Sequence, residues 1–154
     1  MLDEQVKTQI RLEIEMIEHL FAAYQPLLEL AATDTALSLV ETTACASVLH
    51  SFYNGLEKVF QLINKRVDTQ PLAADRWHQA LLEQMMVATP ARPALLSAET
   101  GAMLKDYVAF RHFYRHSYSM LIEWKLISTL VIPLPTVWSQ VRTELEKFIE
   151  PHSL

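Results

Sequence analysis

A chain of 154 residues with formal net charge -5, 51% hydrophobic and 20% charged residues, is sized for one domain with a single core. That balance excludes a disordered polypeptide, and the acidic total excludes a protein that coats itself with nucleic acid indiscriminately. Two glycines, and no stretch of alternating polar and apolar residues, leave little material for hairpins, so one all-α domain over residues 1–154 is expected.

The opening "MLDEQVKTQI" carries acids before any apolar run, unlike a secretory signal, so a cytoplasmic location is expected. Ile10, Ile14, Ile17, Phe21 and Tyr24 then recur at helical spacing, predicting a first helix that kinks or stops near Pro26. Asp34 is placed to cap a second helix, whose stripe of Cys45, Val48, Phe52, Leu56, Val59 and Ile63 runs until "NKRVDTQP". Cys45 lies on that stripe without a disulfide partner, so it is read as a packing residue. "ADRWHQALLEQMM" fits a third, shorter helix, and Pro90 and Pro93 make the following connection extended. Ser97 caps a fourth helix expected to run to about Thr129. "VIPLP" breaks it, and Pro135 suits the first turn of a last helix through Phe148. The uncharged stretch from Leu126 to Gln140 is interrupted by Pro133 and Pro135, so no membrane span is expected.

Within this acidic chain, "RHFYRH" at 111–116 concentrates two arginines and two histidines. On an unbroken helix at about 100° per residue, Phe110, Phe113, Met120, Leu121 and Trp124 face the core. Arg111, His112, Arg115 and His116 then occupy the opposite arc, and Tyr118, two turns beyond Arg111, borders it. Such a face is either a solvated cationic surface or a phosphate site. Histidine favours the second reading, because imidazole moves protons near neutrality while guanidinium holds phosphate oxygens with a fork of permanent charge. A zinc ion shared by His112 and His116 is the competing reading. Its third ligand is missing locally: Glu123 lies roughly 10 Å further along the axis, at about 1.5 Å per residue. The flanking arginines oppose a divalent cation as well, so the site is read as metal-free unless His19, His50 or His78 folds in.

The pattern Arg111, four residues, His116, one residue, Tyr118 resembles that of the HepT toxins of the HEPN superfamily. "LHSFYNGLEKVF" at 49–60 and "RWHQALLEQM" at 76–85 resemble blocks that precede the motif in that family, and the likeness runs from about Cys45 to Trp124. The resemblance implies a HEPN-type antiparallel bundle of about five helices, acting as a homodimer whose two motifs line one cleft. It implies a metal-independent endoribonuclease toxin that needs no cofactor for cleavage, with RNA as substrate. Its antitoxin would be an MntA-like nucleotidyltransferase that uses ATP to place AMP on the motif tyrosine, here Tyr118.

In that mechanism Arg111 and His116 are the catalytic pair. Arg111 binds the scissile phosphate, and His116 moves a proton. His112 stands where many HEPN proteins carry a polar residue; it either orients the phosphate or supplies a second proton carrier. Arg115 is a candidate contact for the RNA backbone or is simply solvated. A twofold axis would bring each motif near its copy and complete the proton-transfer groups, so isolated monomers are expected to be inactive. Tyr53, Asn54 and Glu57 either support the site from the second helix or form its polar face, Trp77 and His78 are expected to anchor the third helix, and Tyr114 is a candidate dimer contact. The alternative reading is a non-catalytic HEPN subunit that binds a nucleotidyltransferase and presents nucleotide or substrate to it.

Overall fold

The computed structural model describes residues 2–33 and 35–151, and among these the fold is all-α without strands. Seven helical segments follow in order: α1 (Glu4–Ala23), α2 (Gln25–Ala32), α3 (Leu39–Ile63), α4 (Trp77–Met85), α5 (Ala98–His116), α6 (Trp124–Val131) and α7 (Leu134–Ile149). The first two are one rod bent at Tyr24, because Pro26 in the first turn of α2 brings no N–H to continue the ladder. The expected kink is therefore present.

The central element is α3, which packs against α1, α2, α4, α5 and α6. Cys45, Leu49, Phe52, Tyr53, Leu56, Phe60 and Ile63 on it are all buried. Burial, reinforced by Glu41, pushes the Cys45 thiol up to about 11, which leaves it protonated and unreactive at neutral pH. Gly55 lets α1 come close, since a Cβ there would stand 2.9 Å from Ile17 Cγ1.

The cap expected from Asp34 lies outside the described residues. The start of α3 is fixed instead by a capping box at Ser38: its hydroxyl accepts from the Glu41 N–H at 3.1 Å, and the Ser38 N–H donates back to the Glu41 carboxylate at 2.9 Å. At its other end α3 widens into a π-turn over Asn64–Asp68. That turn delivers Asp68 to Arg92, whose guanidinium binds it at 2.7 and 2.8 Å. Arg92 also donates to the carbonyls of Gln84, Val87 and Pro93. The side chains of this pair are only 2% and 1% exposed, so the loop between α4 and α5 is clamped to the end of α3 by a fully partnered buried ion pair.

The helix expected to continue from Ser97 to about Thr129 ends at His116. Ser117 and Tyr118 are extended, a short 3-10 turn follows at Ser119–Leu121, and α6 begins at Trp124. Phe110, Ile122 and Ile127 explain the break, since all three are buried. On a straight helix they would point about 120° apart, on three different sides. The chain buries all of them only by leaving the helix and starting another. Of the residues expected on one core face, Phe110 is buried and Trp124 packs against the core. Phe113, Met120 and Leu121 are exposed.

Closing the bundle, α7 lies on α1 and α5. The Trp138 indole and Arg142 both donate to Glu18, at 2.8 and 2.7 Å, and Trp138 stacks on Phe21. The Tyr107 hydroxyl donates to the Leu130 carbonyl at 2.7 Å, holding α6 across α5.

Candidate active site

Four elements bring their polar residues to one place. From α3 come His50, Asn54 and Glu57, spaced four and three apart on one stripe of the helix. From the first turn of α4 comes His78, from α5 comes Arg111, and His112, Arg115 and His116 follow it to the end of that helix.

Arg111 is the hub. Its Nε donates to Asn54 Oδ1 at 3.2 Å and lies 3.6 Å from Glu57 Oε1, while Nη1 lies 3.4 Å from His78 Nε2. Glu57, buried among the core residues of α3, accepts from His78 Nδ1 at 2.7 Å. One carboxylate therefore faces both Arg111 and His78, and it offsets the cost of holding a guanidinium whose side chain is 14% exposed. The other branch runs from Asn54 Nδ2 to His50 Nε2, 3.1 Å away, and the His50 ring stacks on Tyr114. Burial lowers the titration of His50, and Arg111 and Arg115 lower it further against the opposing pull of Glu57. Beneath them Tyr53 is fully buried, and burial raises its phenol, with Glu57 adding to the effect.

Two grooves meet at Arg111. One, of about 420 Å³, runs between α4 and α5 past Arg76, His78, His112, Arg115 and His116. The other, of about 640 Å³, runs between α1 and α3 past His19, Asn54, Glu57, Lys58 and Trp77. Trp77 and His78 stack at 3.6 Å between centroids and stand between the grooves, Trp77 lining one and His78 the other. Arg76, which precedes them, adopts the left-handed conformation at φ 53°, the turn that starts α4 with both rings in its first turn. A larger, mostly apolar cavity of about 700 Å³ between the 91–97 segment and α7 lies apart from these residues. Among the described residues no group of three or more His, Cys, Asp or Glu side chains is arranged to hold a metal ion.

The structure thus brings together Arg111, His112, Arg115 and His116, as their spacing predicts, but not on one solvated arc. Arg111 turns inward to Asn54 and Glu57, whereas His112, Arg115 and His116 remain exposed, with the rings of His112 and His116 4.7 Å apart. Tyr118 does not border the arc of a continuous helix; it stands on extended backbone past the helix end and is 73% exposed. Tyr114 packs half-buried on His50. Sequence reasoning left Asn54 and Glu57 as optional support and assigned His78 to anchoring. The missed signal was the His50, Asn54, Glu57 stripe, where polar residues recur at helical spacing beside the apolar stripe of Leu49, Phe52, Tyr53 and Leu56.

A family model described as HepT-like protein matches residues 44–151, and the chain belongs to that family, which is one of HEPN-type toxins. The match covers α3 to α7 and reaches past Trp124 through the last helix. No curated protein and no solved structure matches the chain. No helix among the described residues is long and apolar enough to cross a membrane.

Proposed function

We propose that the protein is a toxin that cleaves RNA without a metal ion, using Arg111 and His116 on a homodimer, and that an MntA-like nucleotidyltransferase silences it by attaching AMP to Tyr118. The observation that carries this reading is the seating of Arg111: a guanidinium braced by Asn54, Glu57 and His78 where two grooves meet, with His116 along one of them. A fixed fork of donors binds a phosphodiester and stabilises the charge that builds on phosphorus in the transition state. RNA brings its own nucleophile, the 2′-hydroxyl, so the protein supplies charge and proton transfer only. His112 and Arg115 extend the cationic wall on which the neighbouring phosphates rest.

Tyr118 suits the switch because its backbone is extended and its ring exposed, open to a second enzyme. Its phenol oxygen would attack the α-phosphorus of ATP, forming an O–P bond as pyrophosphate leaves. The AMP so attached brings bulk and negative charge beside Arg115 and His116, where RNA phosphate would sit. Phe113, Met120, Leu121 and Leu126, all exposed and close to the motif in sequence, supply the apolar surface for a second copy.

The test compares RNA cutting, in chelator, by the unmodified protein, by His116→Ala and by protein treated with the partner and ATP. Cutting by the first alone is expected, together with an adenylate-sized mass increase mapping to Tyr118 in the third. Equal cutting by all three would overturn the reading.

A further inference from the structure

Arg111 and His116 leave one task of the proposed cleavage without an owner: something must take the proton of the attacking 2′-hydroxyl while something else protonates the departing 5′-oxygen. We propose that His78, backed by Glu57, is the proton acceptor, so that each chain carries its own acid and base. The inference rests on the ribonuclease reading above and assigns a second catalytic residue to the same site.

Three observations carry it. His78 Nδ1 faces the Glu57 carboxylate at 2.7 Å, an acceptor, so Nδ1 bears the proton. Nε2 faces Arg111 Nη1, a group that only donates, so Nε2 offers its lone pair. An imidazole fixed in this tautomer by a buried carboxylate is arranged to receive a proton at Nε2 and to have the resulting cation stabilised. Second, His78 lines the groove that also holds His112, Arg115 and His116, so base and acid face one volume that Arg111 lines as well. Third, the ring is held: Trp77 stacks on it, and its side chain is 24% exposed, enough to reach a substrate but not to swing freely. The contact to Arg111 at 3.4 Å is long for a hydrogen bond, so a substrate hydroxyl on Nε2 displaces little.

The step balances within the chain. Nε2 of His78 takes the 2′-hydroxyl proton as the O2′–P bond forms. The P–O5′ bond breaks, and His116, entering as imidazolium, gives its proton to O5′. The products are a 2′,3′-cyclic phosphate and a 5′-hydroxyl, and Arg111 holds the phosphate throughout.

The experiment uses an RNA oligonucleotide containing a cleavage position mapped with the wild-type protein, and the same oligonucleotide with sulfur replacing the bridging 5′-oxygen there. A thiolate leaves without a proton, so loss of the acid is masked on the sulfur substrate and loss of the base is not. His116→Ala should be slow on oxygen and restored on sulfur. His78→Gln, with His78→Asn as a second variant, should fall by about 100-fold or more in kcat on both substrates, with RNA affinity and unfolding midpoint kept. Wild-type rates in the His78 variants, rescue of them by sulfur, or a loss confined to RNA affinity would overturn the assignment while leaving the ribonuclease reading standing. A wild-type protein that cuts no RNA would remove both.

Discussion

His50 shows how closely single residues are tuned around Arg111. Its ring sits over Tyr114 and is joined to Asn54, within the fields of Arg111, Arg115 and Glu57. Burial and the two arginines lower its titration below the ordinary 6.5, so in the window below that value the unfolded chain holds a proton that the folded chain does not. The contribution of His50 to stability is complete above 6.5 and declines as pH falls from there toward the lowered value. The wild-type unfolding midpoint should therefore drop more between about pH 7.5 and about pH 5.5 than that of His50→Gln, whose amide oxygen can still accept from Asn54. Parallel pH profiles in thermal melts would show that the acid sensitivity arises elsewhere. Arg111, His112, Arg115 and His116 were legible as a site because arginine and histidine in that density are a poor recipe for solubility alone. Asn54, Glu57 and His78 were not, because each is also an ordinary residue for a bundle helix, and only folding shows that they converge on one guanidinium.

Among elements, the long linker between α3 and α5 depends on a single buried ion pair. Arg92→Met leaves the Asp68 carboxylate inside without its cation and should cost about 3–5 kcal/mol in urea unfolding. Adding Asp68→Leu should recover much of that loss, since an apolar pair of similar volume avoids the desolvation of both charges. A single variant as stable as wild type would show that the loop is held by its apolar contacts alone. The sequence revealed α1 and α3 through their apolar stripes, α7 through Pro135 in its first turn, and the bend at Pro26 through the missing N–H. It hid the end of α5: no glycine or proline lies between His116 and Trp124, and the break follows from where Ile122 and Ile127 must go. Tyr118 owes its exposure to that demand of the core.

For the whole molecule, symmetry and chemistry become separable. From the motif alone, the second proton carrier was either His112 or a group of the partner copy; on the proposed assignment of His78, in the same groove as His116, each subunit would be chemically complete and dimerisation would shape the RNA cleft. Mixed dimers test this. Pairing His78→Gln subunits with His116→Ala subunits should restore no cutting, because no subunit then holds both imidazoles, whereas wild type paired with either variant should keep one working site. Recovery in the first mixture would place the pair across the twofold axis.

The helices that meet at Arg111 are far apart along the chain: 57 residues separate it from Asn54 and 33 from His78. A ribosome part-way through the message therefore carries disconnected fragments of the cleft and never a competent one, since α3 and α4 emerge with their polar stripe vacant and wait for α5. On the proposed function, a product truncated before Arg111 would be inert, and a restraining partner would have the whole interval of synthesis and folding in which to arrive.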